Sequence, residues 1–435
     1  MDPLKEKFYL KSKALKEELK TLVKEKGDVV VDQITVEQIV GGMRSLKSMI
    51  WDNSSLDSEK GITFRGYNIT QLRELLPRVP QGKEPLPEGL FWLMMVGEIP
   101  TDDEVYTFSK ALRKREHVDE GVFKVIDALS IDTHPMTQFS ISIMAMQPGS
   151  IFAKRYEEGM SKNDYWDAMY EDSLNLIAKL PIVASYIYRR TYHNGYHIPS
   201  DPDLDWAGNF AHMLGIDTRD FKALMRLYMT IHADHEGGNA SAHTMHLVGS
   251  TLSDAYLSLA ASMNSLAGPL HGLANQEVIK WIMEMVDELK TQRPSKDEIR
   301  EYVLKTINEG KVIPGYGHAV LRQPDPRFLE QKRFAENNIP SDPTVQIVWN
   351  LFEIVPEVLG ELGKVKNPWP NVDAHSGALL VHYGLKQYNF YTVLFGVSRA
   401  LGVCAGLCWD RALGLSLERP KSVTTNWLKT FVNKS

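Results

Sequence analysis

Cysteine is scarce: the 435 residues include two, Cys404 and Cys408. They form neither a CxxC redox pair nor the even-numbered framework of a disulfide scaffold. Standing one helical turn apart in an apolar run, they read as small core residues of a protein from a reducing compartment. An excess of either charge is missing too. Lys and Arg number 49 against 55 Asp and Glu, and the isoelectric point is near 6.1. No net field draws the chain to nucleic acid or to an anionic membrane surface, so an anionic ligand has to be met by a local cluster of Arg and His. Neither a secretory signal, an Arg-rich transit sequence nor a peroxisomal ending is visible; the first residues alternate Lys with Glu, as in Lys5, Glu6 and Lys7. Internal repeats and low-complexity linkers are absent. Several catalytic signatures fail on inspection. Gly315-Tyr316-Gly317 continues as His-Ala-Val with no strand before it, which excludes a GxGxxG nucleotide loop. Two HxxH pairs (His232 with His235, His243 with His246) offer zinc-like spacing, but Asn239 stands where an HExxH motif after His235 needs its second histidine, and no metal is expected. Gly396-Val-Ser398 is only part of a nucleophile elbow and falls inside a helical run.

What is present is an ordinary globular composition, 43% hydrophobic and 24% charged, long enough for two or three domains. Helical periodicity dominates. Asp2-Pro3 starts a helix carrying Leu4, Phe8, Leu15, Leu19 and Leu22 on one face, and Gly27 stops it. Further helices are expected over 90–96, 165–192 (with Pro181 kinking or dividing it), 221–232, 247–266, 276–289, 297–308, 345–362, 391–413 and 427–432. Thr101 with Glu104, and Ser295 with Glu298, have the capping-box spacing. Strands are expected only at 29–36 and 61–67. The fold class is therefore mainly α with a small N-terminal β element. The stretch 391–409 carries a single charge, Arg399. It is long enough to span a bilayer, but a mid-membrane Arg costs about 2.5–3.5 kcal/mol even on the mildest scale, so a buried helix is expected. A buried Arg399 needs an anion, either an Asp or Glu of the protein or a substrate carboxylate.

The chemistry concentrates in four Gly- and Pro-rich stretches. Residues 311–327 (KVIPGYGHAVLRQPDPR) set His318, Arg322 and Arg327 on a turn; Gly admits close backbone approach and Arg forks match carboxylates and phosphates. The others are HADHEGGNASAH (232–243), GPLHG (268–272) and NPWPNVDAHSG (367–377), all read as non-helical. Two turn histidines (His271, His318), one Asp (Asp373) and several Arg suit proton abstraction beside a carbonyl followed by attack on a second carbonyl. The carboxylate takes the C–H proton, one histidine donates to the enolate oxygen, and the other protonates the new alkoxide.

In order along the chain, GLFWLMMVGEIPT, HADHEGGNASAH, GPLHGLANQE, PGYGHAVLR, NPWPNVDAHSG, GVSRALG and ERPKS resemble citrate synthases of the eukaryotic mitochondrial type, from about residue 36 to 422. The resemblance implies a homodimer with no cofactor or metal, located in the mitochondrial matrix. It also implies a large domain (1–274 and 379–435) and a small one (275–378) closing over the substrates. Carried over by position, Asp373, His271 and His318 would be catalytic, and His235, Arg327 and Arg399 would bind oxaloacetate, with Arg419 reaching in from the partner chain. Arg44, Lys162, Val312, Gly315, Gly317, Arg322, Lys366 and Asn371 would contact coenzyme A. Lys162 stands where some members have Arg, and Gln323-Pro324 departs from the usual Lys-Thr. The activity implied is condensation of acetyl-CoA with oxaloacetate and water to citrate and CoA. The alternatives are a 2-methylcitrate synthase using propionyl-CoA, or a filament-forming structural protein on the same fold. Neither nucleic acid nor membrane insertion is expected.

Overall fold

The computed structural model describes residues 2–318, 320–363 and 367–434. Its organising element is the Tyr391–Leu413 helix, every residue of which is buried. By length and hydropathy it could cross a membrane, yet its whole apolar window is packed inside the protein. Around it lie the Tyr165–Tyr192, Ala240–Ser250, Ala255–Leu266, Pro87–Val96 and Pro3–Lys26 helices. Gly402 permits one of the closest approaches: its N–H donates to Ala233 O at 3.2 Å, and a Cβ there would lie 2.4 Å from that oxygen. The 232–239 loop is thereby held directly against the helix that carries Arg399.

The first helix forms as its cap predicts. Asp2 accepts from Leu4 N at 3.1 Å, Pro3 occupies the first turn, and Leu4 and Phe8 are fully buried. The Phe8 ring meets Trp166, Tyr170 and Trp409. Both capping boxes are present, at Thr101/Glu104 and Ser295/Glu298. Pro181 neither divides nor ends the Tyr165–Tyr192 helix. Proline removes the N–H that would bond the carbonyl four residues back; that carbonyl, Ile177 O, accepts instead from the Trp206 indole N–H at 2.9 Å.

A second group of helices packs together: Ala274–Leu289, Lys296–Asn308, Pro326–Asn338, Pro343–Leu362 and Asp373–His382. Among the described residues the one sheet is small and antiparallel, in the order β1 (Ser54–Asp57), β2 (Gly61–Phe64), β3 (Tyr67–Asn68).

Several expectations change, among them the non-helical reading of 232–243, whose last four residues begin the Ala240–Ser250 helix. Residues 29–35 form no strand, and Val36–Val40 is a short helix. With no partner strand to take its N–H and C=O groups, that apolar run lies open, Val30 being 72% exposed. The expected strand 61–67 is a hairpin broken at Arg65 (φ 48°) and Gly66, and its other partner, β1, lacks the apolar alternation that would betray it. The helix expected over 247–266 is two, Ala240–Ser250 and Ala255–Leu266. Leu252 turns left-handed (φ 67°) and Asp254 caps the second helix by accepting from Leu257 N. Asp373 lies not on a turn but at the first residue of the Asp373–His382 helix; the Pro-rich run before it obscures that start.

Candidate active site

The 311–327 stretch is held to the 367–373 stretch by backbone pairing. Gly317 N donates to Trp369 O (3.0 Å), Asn371 N to Gly315 O (2.9 Å) and Asp325 N to Pro370 O (3.2 Å). Gly315 is required twice over. Its φ is +79°, and a Cβ would lie 2.7 Å from Val278 Cγ2 and 3.0 Å from Ala374 Cα. Asp373 N donates to Asn371 Oδ1 at 3.0 Å, which fixes where the next helix begins. His318 and Asp373, 55 positions apart by their numbers, thus belong to one structural unit.

His318 accepts at Nδ1 from Val320 N and Leu321 N, both at 3.0 Å. Two backbone donors on one nitrogen place the ring proton on Nε2. Burial, helped by the nearby Arg327 charge, lowers its pKa to about 4. His271 is arranged oppositely. Its Nε2 accepts from Ser241 N at 3.2 Å and lies 2.9 Å from Ser241 Oγ, so its proton sits on Nδ1. Burial and then Arg399 bring its pKa to about 3. Both imidazoles are therefore neutral at physiological pH, each with one nitrogen tied to the backbone and the other bearing a proton.

His235 meets the His318 ring edge to face at 5.5 Å. Its Nε2 is buried with no hydrogen-bond partner among the described residues. Burial, then Arg327, His318, Arg399 and His271, hold its pKa well below the usual value. Groups from the 232–243, 268–272 and 311–327 stretches thus converge around His235.

Asp373 is buried, and its Oδ1 has no hydrogen-bond partner among the described residues. Burial raises its pKa to about 7, against the opposing pull of Arg327 and Arg399. An aspartate tuned to neutrality is a competent base at physiological pH.

The two arginines are held differently. Arg327 forks onto Asp325, with Nη2 to Oδ2 at 2.6 Å. Burial works to raise the Asp325 carboxyl, but Arg327 outweighs it and holds the pKa below the usual range. Arg399 has neutral acceptors: His232 O at 3.2 Å, and Asn239 Oδ1 and Ser241 Oγ at 3.0 Å each. Among the described residues no carboxylate comes within 4.0 Å to form an ion pair with it. Asp234, which accepts from Trp51 Nε1 and Ser54 Oγ at 2.8 Å, acts on it only at longer range. Burial lowers the Arg399 pKa to about 10. Its buried charge thus has only neutral hydrogen-bond acceptors among the described residues, which leaves it uncompensated at short range.

Ser241, Asn239, Asp325 and Asp234 all serve the site, although none stands out from sequence. Signals existed: Asp325-Pro326 is a helix-start pair like Asp2-Pro3, and Asn239 precedes a helical run as a cap.

The coenzyme A candidates are less gathered. Val312 is 83% exposed beside the buried Ile313, on the outer edge of the turn with Gly315 and Gly317. Asn371 Nδ2 reaches Gly317 O at 3.5 Å. Arg322 folds back, its Nη1 donating to Val320 O and Leu321 O at 2.8 Å. Arg44 and Lys162 are exposed, with no hydrogen bond or ion pair to this turn among the described residues. Arg419 is exposed on the segment following Gly414 and likewise makes no such contact with the site of its own chain. Lys366 lies outside the described residues. No three His, Cys, Asp or Glu side chains converge as metal ligands among the described residues.

Comparison with known proteins matches this architecture. The family model "Citrate synthase, C-terminal domain" covers residues 42–421. The mitochondrial citrate synthase of Daucus carota is 57% identical over 419 residues, 96% of this chain and 89% of that protein. That of Xiphias gladius is 53% identical over 415 residues, 95% and 88% of the two chains. Among solved structures, the citrate synthase of Pyrobaculum aerophilum superposes with a TM-score of 0.78 at 26% identity, covering 92% of this chain and 97% of that one. The Thermoplasma acidophilum citrate synthase, solved as a ternary complex with carboxymethyl coenzyme A and oxaloacetate, shares the fold with a TM-score of 0.75 at 21% identity over 90% and 97% of the chains. With a family model spanning most of its length and relatives above half identity, the chain belongs to the citrate synthase family.

Proposed function

We propose that Asp373, His271 and His318 divide between them the proton transfers of the family's reaction, in which acetyl-CoA, oxaloacetate and water give citrate and CoA (EC 2.3.3.1). The observation that carries the assignment is the pairing of an aspartate raised to about 7 with two neutral histidines of opposite tautomer. Asp373 takes a proton from the acetyl methyl group. His271 Nδ1–H donates to the thioester oxygen as it gains enol character. The enol carbon then attacks the oxaloacetate ketone, and His318 Nε2–H supplies the proton that the new alkoxide needs. Water finally cleaves the thioester and releases CoA. Neutral histidines suit this work: a proton held at a fixed nitrogen meets charge that develops only in the transition state.

Oxaloacetate is held by the unpartnered His235 Nε2 and by Arg327 and Arg399, with Arg419 supplied by a second copy of the chain. The exposed apolar side chains on the tail, Leu417 and Val423 among them, support a homodimer in which that tail lies on its partner. Coenzyme A lies along Val312, Gly315 and Gly317, its polar groups met by Arg44, Lys162, Arg322, Lys366 and Asn371. The small domain (275–378) closes on the large one (1–274 and 379–435) around both substrates. No metal or cofactor takes part. Mitochondrial residence is supported by the names of the relatives, and within the organelle we place the protein in the matrix.

A thiol-release assay with oxaloacetate and either acetyl- or propionyl-CoA is the test. Faster turnover of acetyl-CoA is expected. A propionyl-CoA preference makes the protein a 2-methylcitrate synthase, and silence with both leaves the structural role, which electron microscopy for filaments addresses.

A further inference from the structure

The strap that carries Arg419 is fastened to the Ala240–Ser250 helix by one stripe of side chains. His243, His246 and Ser250 follow at spacings of three and four, so they share a helical face. All three engage Glu418. His243 Nε2 lies 2.9 Å from Glu418 Oε1, and His246 Nε2 lies 3.6 Å from Oε2. Ser250 Oγ accepts from Glu418 N at 3.1 Å. From the other side, Asp410 Oδ2 stands 2.8 Å from His246 Nδ1, and the Asp410 carbonyl accepts from Gly414 N and Leu415 N at 3.1 Å, where the chain leaves the long helix. His246 therefore hydrogen-bonds the carboxylate on the core helix and lies within ion-pair distance of the one on the strap, and only the imidazolium form is drawn by charge to both.

We propose that His246 and His243 form a latch on Glu418 that positions Arg419, the next residue, for the oxaloacetate site of the partner subunit. The proposal rests on the reading that Arg419 binds oxaloacetate across the dimer. An exposed Arg on an irregular strap is mobile in its own right; anchoring the preceding backbone and side chain removes that freedom before substrate arrives. The anchoring helix is itself built into the site: Asn239 caps it, and Ser241 in its first turn meets both His271 and Arg399. One rigid element thus ties the catalytic groups of one site to the strap that serves the other.

The charges around His246 support a protonated bridge. Asp410 and Arg411 face it from the long helix, Glu418 from the strap and His243 from its own helix; the Ala255–Leu266 helix packed alongside has no charged side chain. The hydrogen bond that its Nδ1–H donates to Asp410 outweighs burial and raises its pKa above the usual value. The latch is consequently closed below that pKa and loosens as pH rises through it.

Glu418→Gln keeps the shape and removes the charge. Its oxaloacetate KM is expected to rise roughly tenfold, the size of one charge-assisted hydrogen bond, while kcat and the acetyl-CoA KM change much less. Arg419→Ala should raise the oxaloacetate KM at least as far, and the double variant no further than Arg419→Ala alone. In wild type the oxaloacetate KM should climb from pH 6 to pH 9 (~6 to ~9), and that climb should flatten in His246→Gln. If Arg419→Ala leaves the KM unchanged, the cross-dimer reading is wrong. If it raises the KM but Glu418→Gln and His243→Asn do not, or if the effects of the double variant simply add, the latch is overturned and the reading of Arg419 stands.

Discussion

Asp373 shows how one side chain joins stability to chemistry. Burial raises its pKa to about 7, so the folded protein disfavours its charge. The sign follows directly. Below the unfolded value of about 4 the group is neutral in both states and costs nothing; the penalty grows as pH rises and is complete above about 7. Asp373→Asn is therefore expected to be more stable than wild type at about pH 8, by on the order of a few kcal/mol, and the resulting gap in Tm should close toward about pH 4 in thermal scans. The same substitution should lower kcat by roughly 10²–10⁴, and an unchanged kcat would remove Asp373 from the role of base. In wild type, kcat/KM for acetyl-CoA should fall about tenfold per pH unit below about 7, as the carboxylate takes up a proton before substrate binds. His271 and His318 were legible as candidates because imidazoles on Gly- and Pro-rich turns are conspicuous. Their tautomers were not, since each depends on backbone N–H groups that only the folded turn presents: Ser241 for one, Val320 and Leu321 for the other.

Helices were legible where caps and periodicity agree. The Pro3–Lys26 helix, with Asp2 before it and Gly27 after it, starts and stops as its sequence indicates. Residues 29–36 misled because β-branched residues favour a strand only when a neighbour is there to pair. Pro181 illustrates the opposite case, a helix breaker rescued by a distant partner. Trp206→Phe should cost about 1–3 kcal/mol, because Ile177 O is then buried without a donor. In a Pro181→Ala background the restored N–H at 181 can reach Ile177 O, so the same substitution should cost less. Denaturant or thermal melts of the four proteins form the cycle, and equal costs in both backgrounds would show that the indole bond does not replace the missing one.

At the scale of the whole molecule, the tail beyond Gly414 and the segment around Val29–Val31 leave large apolar side chains open, Val30 and Leu417 among them. Surfaces of this kind mark interaction sites, and the exposed Arg419 makes no hydrogen bond or ion pair with the site of its own chain among the described residues. Mixed dimers joining an Arg419→Ala chain to a His318→Ala chain should then recover about one working site per dimer, because both lesions fall in the same site and the other stays intact. No recovery in a thiol-release assay would place Arg419 in the site of its own chain.

The order of motifs along the chain determined the family, and hydrophobic periodicity with its caps determined a mainly helical fold; both are local properties that need no neighbour. The long apolar helix with its lone Arg399 was likewise legible as buried. Tertiary structure alone decided what answers that charge: Asn239 Oδ1, Ser241 Oγ and His232 O, all neutral. It also decided the pKa of Asp373 and the engagement of Glu418 by two histidines. Each of these depends on which groups meet in a volume from which water is excluded, and segments far apart along the chain meet there only once it has folded.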